Sequence, residues 1–345
     1  MPEGMNMLAA TAAALVAPGK GILAADESIP TMSARLQRAS VPPAAGSRRA
    51  YREMLVSTPG LCRGISGIIL CAETLGQRVS GGRSFPAAIR ELGMLPGIKT
   101  DAGTRPLAGT AGETVTEGLD GLADRLRLHA RAGAMFAKWR AVFRIGAGSP
   151  SAIAVRANAQ ALARYAAACQ EAGLVPVVEP EVLMAGDHSL SQCEAVTALV
   201  LLQVSSELQD YGVDFGAVVL KPNMVLAGGD SAERATPGQV AAATAAALGA
   251  LPAALAGVAF LSGGQRPERA TENLAALQQI PRLWPFTFSF GRALVDPALA
   301  AWRGERDRVA AGQRALARRV AMNVAALECR YTPELEFEPF EPEPV

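Results

Sequence analysis

Four lysines stand among 29 arginines in this 345-residue chain, and three of them, Lys99, Lys138 and Lys221, close short apolar runs of the kind that form buried strands. A guanidinium stays protonated throughout the physiological range, whereas an amine held away from water deprotonates readily and can add to a carbonyl. An arginine-biased genome with three chance survivors is the plain explanation. A lysine nucleophile is the chemical one, and the residues that end the neighbouring runs bear on the choice.

Side chains two apart on a strand share a face, so Lys138 and Arg140 project together from one run, and Glu179 and Glu181 from the next. If the inward face is used, Lys221, closing the run after that, sits beside Glu179 and within range of Lys138. Low dielectric and nearby cations both lower an ammonium pKa, leaving some free amine to attack a ketone. A carboxyl group alongside can pass the protons that carbinolamine dehydration requires. The same residues could instead be a ring of ion pairs closing a barrel mouth. Asp26 reads either as a further reactive carboxylate or as the N-cap of a following helix. Ser262, Gly263 and Gly264 read as an ordinary turn or as a nest of N–H groups for a phosphate. Ser289, Gly291 and Arg292 offer the same ligand chemistry from the next run.

Eight apolar runs carry these groups: 21–26, 67–73, 97–101, 135–140, 175–181, 216–223, 258–265 and 286–292. Most of the intervals hold helical patterns, at 118–132, 151–171, 191–211, 237–248, 266–279 and 297–327. Strands alternating with helices eight times over predict an α/β fold, a single-domain parallel (β/α)8 TIM barrel, with a doubly wound sheet as the competitor. The barrel explains why nearly every run ends in a reactive or anion-binding group, Glu73 and Lys99 included, since closure brings those ends around one mouth. No run carries the GxGxxG fingerprint of a dinucleotide fold.

Half the residues are hydrophobic, 19% are charged and the net charge is +1, as in a globular protein with ample core. Near-neutral charge and two isolated histidines, His129 and His188, argue against nucleic acid as a partner and against a histidine-rich metal site. Five scattered cysteines without a CxxC pair suit reduced thiols in a cytosol. The apolar stretch at 7–17 is too short to span a bilayer and lacks a preceding basic residue, so it reads as an N-terminal helix and no membrane is expected. From residue 333 the tail is rich in Pro and Glu, and is expected to be mobile and solvated, apart from a domain spanning 1–332.

The strings GKGILAADES, GIKTDAG, PLAGTAGET, GLDGL, FAKWR, VPVVEPEVL, VLKPNM, FLSGGQ and FSFGRAL closely resemble class I fructose-bisphosphate aldolase, the Schiff-base type, in the family's order from about residue 18 to 332. The resemblance implies a (β/α)8 barrel that cleaves fructose 1,6-bisphosphate to dihydroxyacetone phosphate and glyceraldehyde 3-phosphate in glycolysis and gluconeogenesis. It also implies no metal or other cofactor, and a cytoplasmic homotetramer. By position, Lys221 resembles the Schiff-base lysine, Glu179 its acid/base, Asp26 the acceptor of the 4-hydroxyl proton, and Lys138 the lysine that depresses the pKa of Lys221. Glu181 is then expected to orient Lys138. Ser262, Gly263, Gly264, Ser289, Gly291 and Arg292 resemble one phosphate site. Ser28, Arg35 and Lys99 resemble contacts to the other phosphate and the sugar hydroxyls, with Arg140 beside them, and Asp120 resembles an interface residue. The chain departs from the family at Ile29-Pro30-Thr31, at Phe290, and in a tail that lacks the family's terminal tyrosine. Another lysine lyase of the barrel class, or a sugar-phosphate binder without turnover, are the competing readings.

Overall fold

Short runs rich in β-branched and aromatic residues, each followed by a helix with one apolar face, bury both faces of every strand when they close into a barrel. The computed structural model, which describes residues 2–341, has this architecture. The strands are β1 (Gly21–Ala25), β2 (Ile65–Leu70), β3 (Leu95–Lys99), β4 (Thr104–Pro106), β5 (Thr114–Thr116), β6 (Phe136–Phe143), β7 (Val175–Val182), β8 (Val219–Leu220), β9 (Gly257–Phe260) and β10 (Phe286–Phe290). The helices are α1 (Pro2–Leu15), α2 (Ile29–Arg38), α3 (Ala45–Val56), α4 (Ala72–Leu75), α5 (Phe85–Glu91), α6 (Leu122–Arg131), α7 (Ala152–Glu171), α8 (Leu190–Asp210), α9 (Pro237–Leu248), α10 (Pro267–Gln278), α11 (Arg292–Trp302) and α12 (Val309–Leu327). Around the closed barrel the order is β1-β10-β9-β8-β7-β6-β3-β2, while β4 and β5 pair antiparallel outside it. No helix among the described residues is long and apolar enough to cross a membrane, and the five cysteines are free thiols.

Two-residue periodicity divides each strand between two cores. Leu23, Ile68, Leu70, Ile98, Trp139, Val178, Leu220, Phe288 and Phe290 face the helices. Ile22, Ala24, Phe136, Val175, Val177, Val219 and Ala259 fill the barrel, together with Leu8, Ala12 and Leu15 of α1, which packs against the strand starts and closes that end. Only the opposite, C-terminal end is left for polar groups. The inward positions there are Asp26, Lys99, Lys138, Arg140, Glu179, Glu181 and Lys221.

Several elements differ from the pattern read in the sequence. β2 ends at Leu70, so Glu73 falls in α4 and forms an ion pair with Arg48 (2.6 Å) outside the mouth. The segment 297–327 is two helices, because Arg303 and Gly304 both take positive φ (54° and 77°) and a Cβ on Gly304 would lie 2.8 Å from Val41. α6 begins only after Gly118 and Gly121, which also have positive φ. The acidic tail is anchored where it begins. Glu336 pairs with the buried guanidinium of Arg319 at 2.6 Å and accepts a hydrogen bond from the Tyr331 hydroxyl, while Arg318 donates to the carbonyls of Glu336 and Glu338. Of the tail expected to be solvated, 342–345 lie outside the described residues.

Gly97 sits level with Phe136 on the adjacent strand, and a Cβ there would lie 2.2 Å from the fully buried Phe136 ring. The ring is hemmed in by the barrel and has nowhere to go. We therefore expect Gly97→Ala to destabilise the fold by about 1–3 kcal/mol through overpacking, read as a lower urea midpoint, and Phe136→Leu in that background to restore part of the loss.

Candidate active site

Register fixes which inward side chains meet. Lys138 lies level with Val177, and Arg140 level with Glu179. Lys221 follows directly on β8, and its amide donates to the Val178 carbonyl (2.7 Å), which carries the ladder one residue past the strand and sets Lys221 level with Glu179. Asn223, two residues on, accepts from the Val182 amide (2.9 Å) and holds the turn after Lys221 against β7.

At the centre, one carboxylate serves two amines. Glu179 Oε1 is 3.2 Å from Lys221 Nζ, and Oε2 is 2.8 Å from Lys138 Nζ, which in turn lies 2.8 Å from Asp26 Oδ2. All four residues are at least nine-tenths buried. Burial raises the Asp26 carboxyl, but the Lys138 and Lys221 ammoniums outweigh it and hold the pKa at about 2. Glu179 is likewise held below its ordinary value, because the same two cations overcome its desolvation. For Lys138 burial pushes downward, yet Asp26 and Glu179 together raise it, so this amine stays charged. Lys221 goes the other way. Burial lowers it, Lys138 lowers it further, and its single close carboxylate does not compensate. The arrangement thus has one permanent cation and one amine disposed to lose its proton.

Glu181 does not touch Lys138, contrary to expectation. It pairs with Arg140, because each cation on β6 reaches the carboxylate one inward layer higher on β7: Lys138 takes Glu179, and Arg140 takes Glu181. Asp26 is not an N-cap; that role belongs to Ser28, whose Oγ accepts from the Thr31 amide at 3.4 Å. Arg35 is buried and bonded to Glu27 and Asp296, so it is held by the fold as well as facing the cavity.

These groups line a cavity of about 700 Å³ at the C-terminal mouth. On its β9–β10 side lie Ser262, Gly263, Ser289, Gly291 and Arg292. Gly263 and Gly264 both have positive φ (59° and 90°), a conformation that favours glycine at each, and Gly264 lies next to the Arg292 guanidinium. The Ser289 hydroxyl is buried with no partner. A buried hydroxyl without a bond is costly, so it marks a place where a ligand oxygen can be received. On the β3–β6 side stand Lys99, tied to Asp101, and Arg140.

Two acidic groups were missed in the sequence. Asp101 accepts from Lys99 and from the Arg140 amide; its spacing of two from Lys99 at a strand end was a usable signal. Glu27 bridges Arg35 and the fully buried Arg52, which no local pattern announced. Among the described residues no three His, Cys, Asp or Glu side chains gather in a way that could hold a metal.

A family model described as fructose-bisphosphate aldolase class-I matches residues 7–340. The chain is 50% identical over 333 residues to fructose-bisphosphate aldolase B of Gallus gallus, covering 95% of this chain and 91% of that one. It is 49% identical over 322 residues to fructose-bisphosphate aldolase 4, cytosolic, of Arabidopsis thaliana, covering 92% and 82%. Among solved structures, the fructose-bisphosphate aldolase of Plasmodium falciparum, in a complex with TRAP and a small-molecule inhibitor, matches with a TM-score of 0.95 at 41% identity, covering 96% and 97%.

Lys138 depresses the Lys221 pKa by charge repulsion, so removing its charge should raise that pKa and reduce the free amine at neutral pH. In Lys138→Met we expect the acid limb of the pH dependence of imine trapping, followed with dihydroxyacetone phosphate and cyanoborohydride, to move to higher pH. An unmoved limb would show that Lys138 does not set the protonation of Lys221.

Proposed function

The chain belongs to the class-I fructose-bisphosphate aldolases, and from that premise we propose how its own residues divide the reaction. The family's enzymes are metal-independent carbon–carbon lyases that cleave fructose 1,6-bisphosphate reversibly through a lysine Schiff base. The observation that carries the assignment is the pairing of a buried Lys221, its pKa lowered, with Glu179 at 3.2 Å.

Unprotonated Lys221 Nζ adds to the C2 ketone of the open-chain sugar, the Glu179 carboxylate passes a proton from the added nitrogen to the carbinolamine oxygen, and one further proton, taken up from solvent and relayed by Glu179, lets that oxygen leave as water. The product is a protonated imine. Asp26, a carboxylate throughout the neutral range, accepts the proton of the 4-hydroxyl as the C3–C4 bond breaks. Glyceraldehyde 3-phosphate departs, and the electron pair of the broken bond moves into the iminium to leave a neutral enamine. Protonation at C3 and hydrolysis of the imine then release dihydroxyacetone phosphate and free Lys221. Lys138, charged and in contact with both Asp26 and Glu179, bridges the two carboxylates and lowers the Lys221 pKa by charge repulsion. Glu181 fixes Arg140.

The phosphate on C1 falls to Ser262, Gly263, Gly264, Ser289, Gly291 and Arg292. β9 adjoins β8, so this site neighbours Lys221 around the mouth, as a phosphate on the carbon next to the attacked ketone requires. Ser28, Arg35, Lys99 and Arg140 face the remaining phosphate and hydroxyls. We also propose a cytosolic homotetramer. Support comes from exposed Leu199 and Leu202 on α8, from the exposed Asp120 ahead of α6, and from a plant relative named as cytosolic. Light scattering on the native protein should give four times the 35.7 kDa chain mass.

Arginine at position 221 keeps the charge and cannot serve as the electron sink. We expect Lys221→Arg to lose at least about 10³-fold in turnover, with the thermal midpoint measured alongside to show that the barrel is intact. A folded variant with normal activity would remove Lys221 from the mechanism.

A further inference from the structure

The order of strands sets the phosphate site on β9 and β10 diametrically across the barrel from β3 and β6. A substrate with a phosphate at each end spans the mouth along that diameter, so its second phosphate arrives where β3 gives way to the antiparallel pair β4 and β5. The cations expected there are already engaged. Lys99 pairs with Asp101, and Arg140 with Glu181. Across the whole cavity each carboxylate is likewise matched to a cation within it, with Glu179 shared. Two arginines are left without a carboxylate among the cavity's own groups. One is Arg292 at the first phosphate site; the other is Arg105, on β4.

Arg105 is placed for this. Its one carboxylate partner, Glu117, lies outside the cavity lining at 3.6 Å, with both side chains more than half exposed, and such a pair exchanges easily for a better anion. The strand that carries it is firmly supported. Arg105 lies opposite Val115 of β5, and β5 is tied to the barrel wall through Thr116, whose hydroxyl donates to the Arg140 carbonyl (2.8 Å), and through the buried Asn158 of α7, which bonds Thr114 and Thr116. A long side chain on a fixed base can leave Glu117 and turn into the mouth without any change in the backbone.

Resting on the aldolase reading, we propose that Arg105 is a specificity-determining residue that binds the second phosphate, and so favours a bisphosphate over a 1-monophosphate. An arginine can meet a phosphate through two parallel N–H bonds, and loss of one charge-assisted contact of this kind at a partly exposed site weakens binding about tenfold.

The test uses a hexitol 1,6-bisphosphate and a hexitol 1-phosphate, which have no carbonyl and cannot form an imine, titrated calorimetrically into the full-length protein and into Arg105→Gln. The bisphosphate should bind about tenfold more weakly to the variant and the monophosphate equally well, with Arg105→Lys recovering part of the difference. Raising the salt concentration should narrow the gap, as screening reaches an exposed contact first. Equal weakening of both ligands would mean that Arg105 only supports the β4–β5 pair, and no weakening of either would mean that it does not meet the substrate; both results overturn the proposal. Because binding is read without turnover, a failure of the imine chemistry itself would be seen separately, in wild-type protein that binds both ligands yet cleaves neither fructose phosphate.

Discussion

Two lysine amines and two carboxylates are buried together at the floor of the barrel's mouth, and the rest of the molecule is arranged so that they can be. Buried charges are tolerable only when paired, and removing one member of such a set leaves an uncompensated charge worth about 3–5 kcal/mol. Here the pairing is unequal: Lys138 contacts two carboxylates and Lys221 one. That imbalance separates two chemically identical amines into one held charged and one whose pKa is lowered, the amine proposed as nucleophile. Arginine at either position would abolish the distinction, which gives a physical reason for lysine in a chain that otherwise uses guanidinium almost throughout.

The barrel supplies what this arrangement requires. Apolar inward residues and α1 fill the lower part and exclude water from below, so the charged layer opens only to the mouth. Parallel strands in a closed ring set the heights of inward residues by register, and it is register that assigns Lys138 to Glu179 and Arg140 to Glu181. The phosphate site proposed on the β9–β10 side is built differently: Gly263 and Gly264 both take positive φ, and α11 starts beside them at Arg292. The cavity of about 700 Å³ has cationic side chains on opposite sides, Arg292 on one and Lys99, Arg105 and Arg140 on the other, in keeping with the proposal of a substrate that carries a phosphate at each end.

Much of this was legible in the chain before any coordinates. Period-two spacing of Lys138 with Arg140 and of Glu179 with Glu181 shows through because both faces of a barrel strand are otherwise apolar; spacing told that each pair shares a face, and the structure that the face is the inward one. Eight apolar runs with helical patterns in most of the intervals gave the architecture. Pairings that depend on height were not legible: the assignment of Glu181 to Lys138 failed because sequence spacing says nothing of the stagger between adjacent strands. Glu73 was misplaced for a related reason, since β2 stops three residues short of it and the chain turns into α4. The anchored start of the tail was hidden too. A Pro/Glu-rich composition describes average solvation, and one buried arginine on α12 is enough to hold Glu336 against it. Arg105 escaped notice because it lies in a short strand outside the barrel, where no periodicity marks it.

The account stands on an imine at Lys221. Incubation of the protein with dihydroxyacetone phosphate and borohydride, followed by intact mass and peptide mapping, reduces any imine to a stable secondary amine and locates it. One adduct per chain, on Lys221 and absent from Lys138, is the expected result, since the Lys221 pKa is lowered and that of Lys138 raised, which makes Lys221 the amine that gives up its proton more readily. An adduct on Lys138, or none on folded protein, would contradict it.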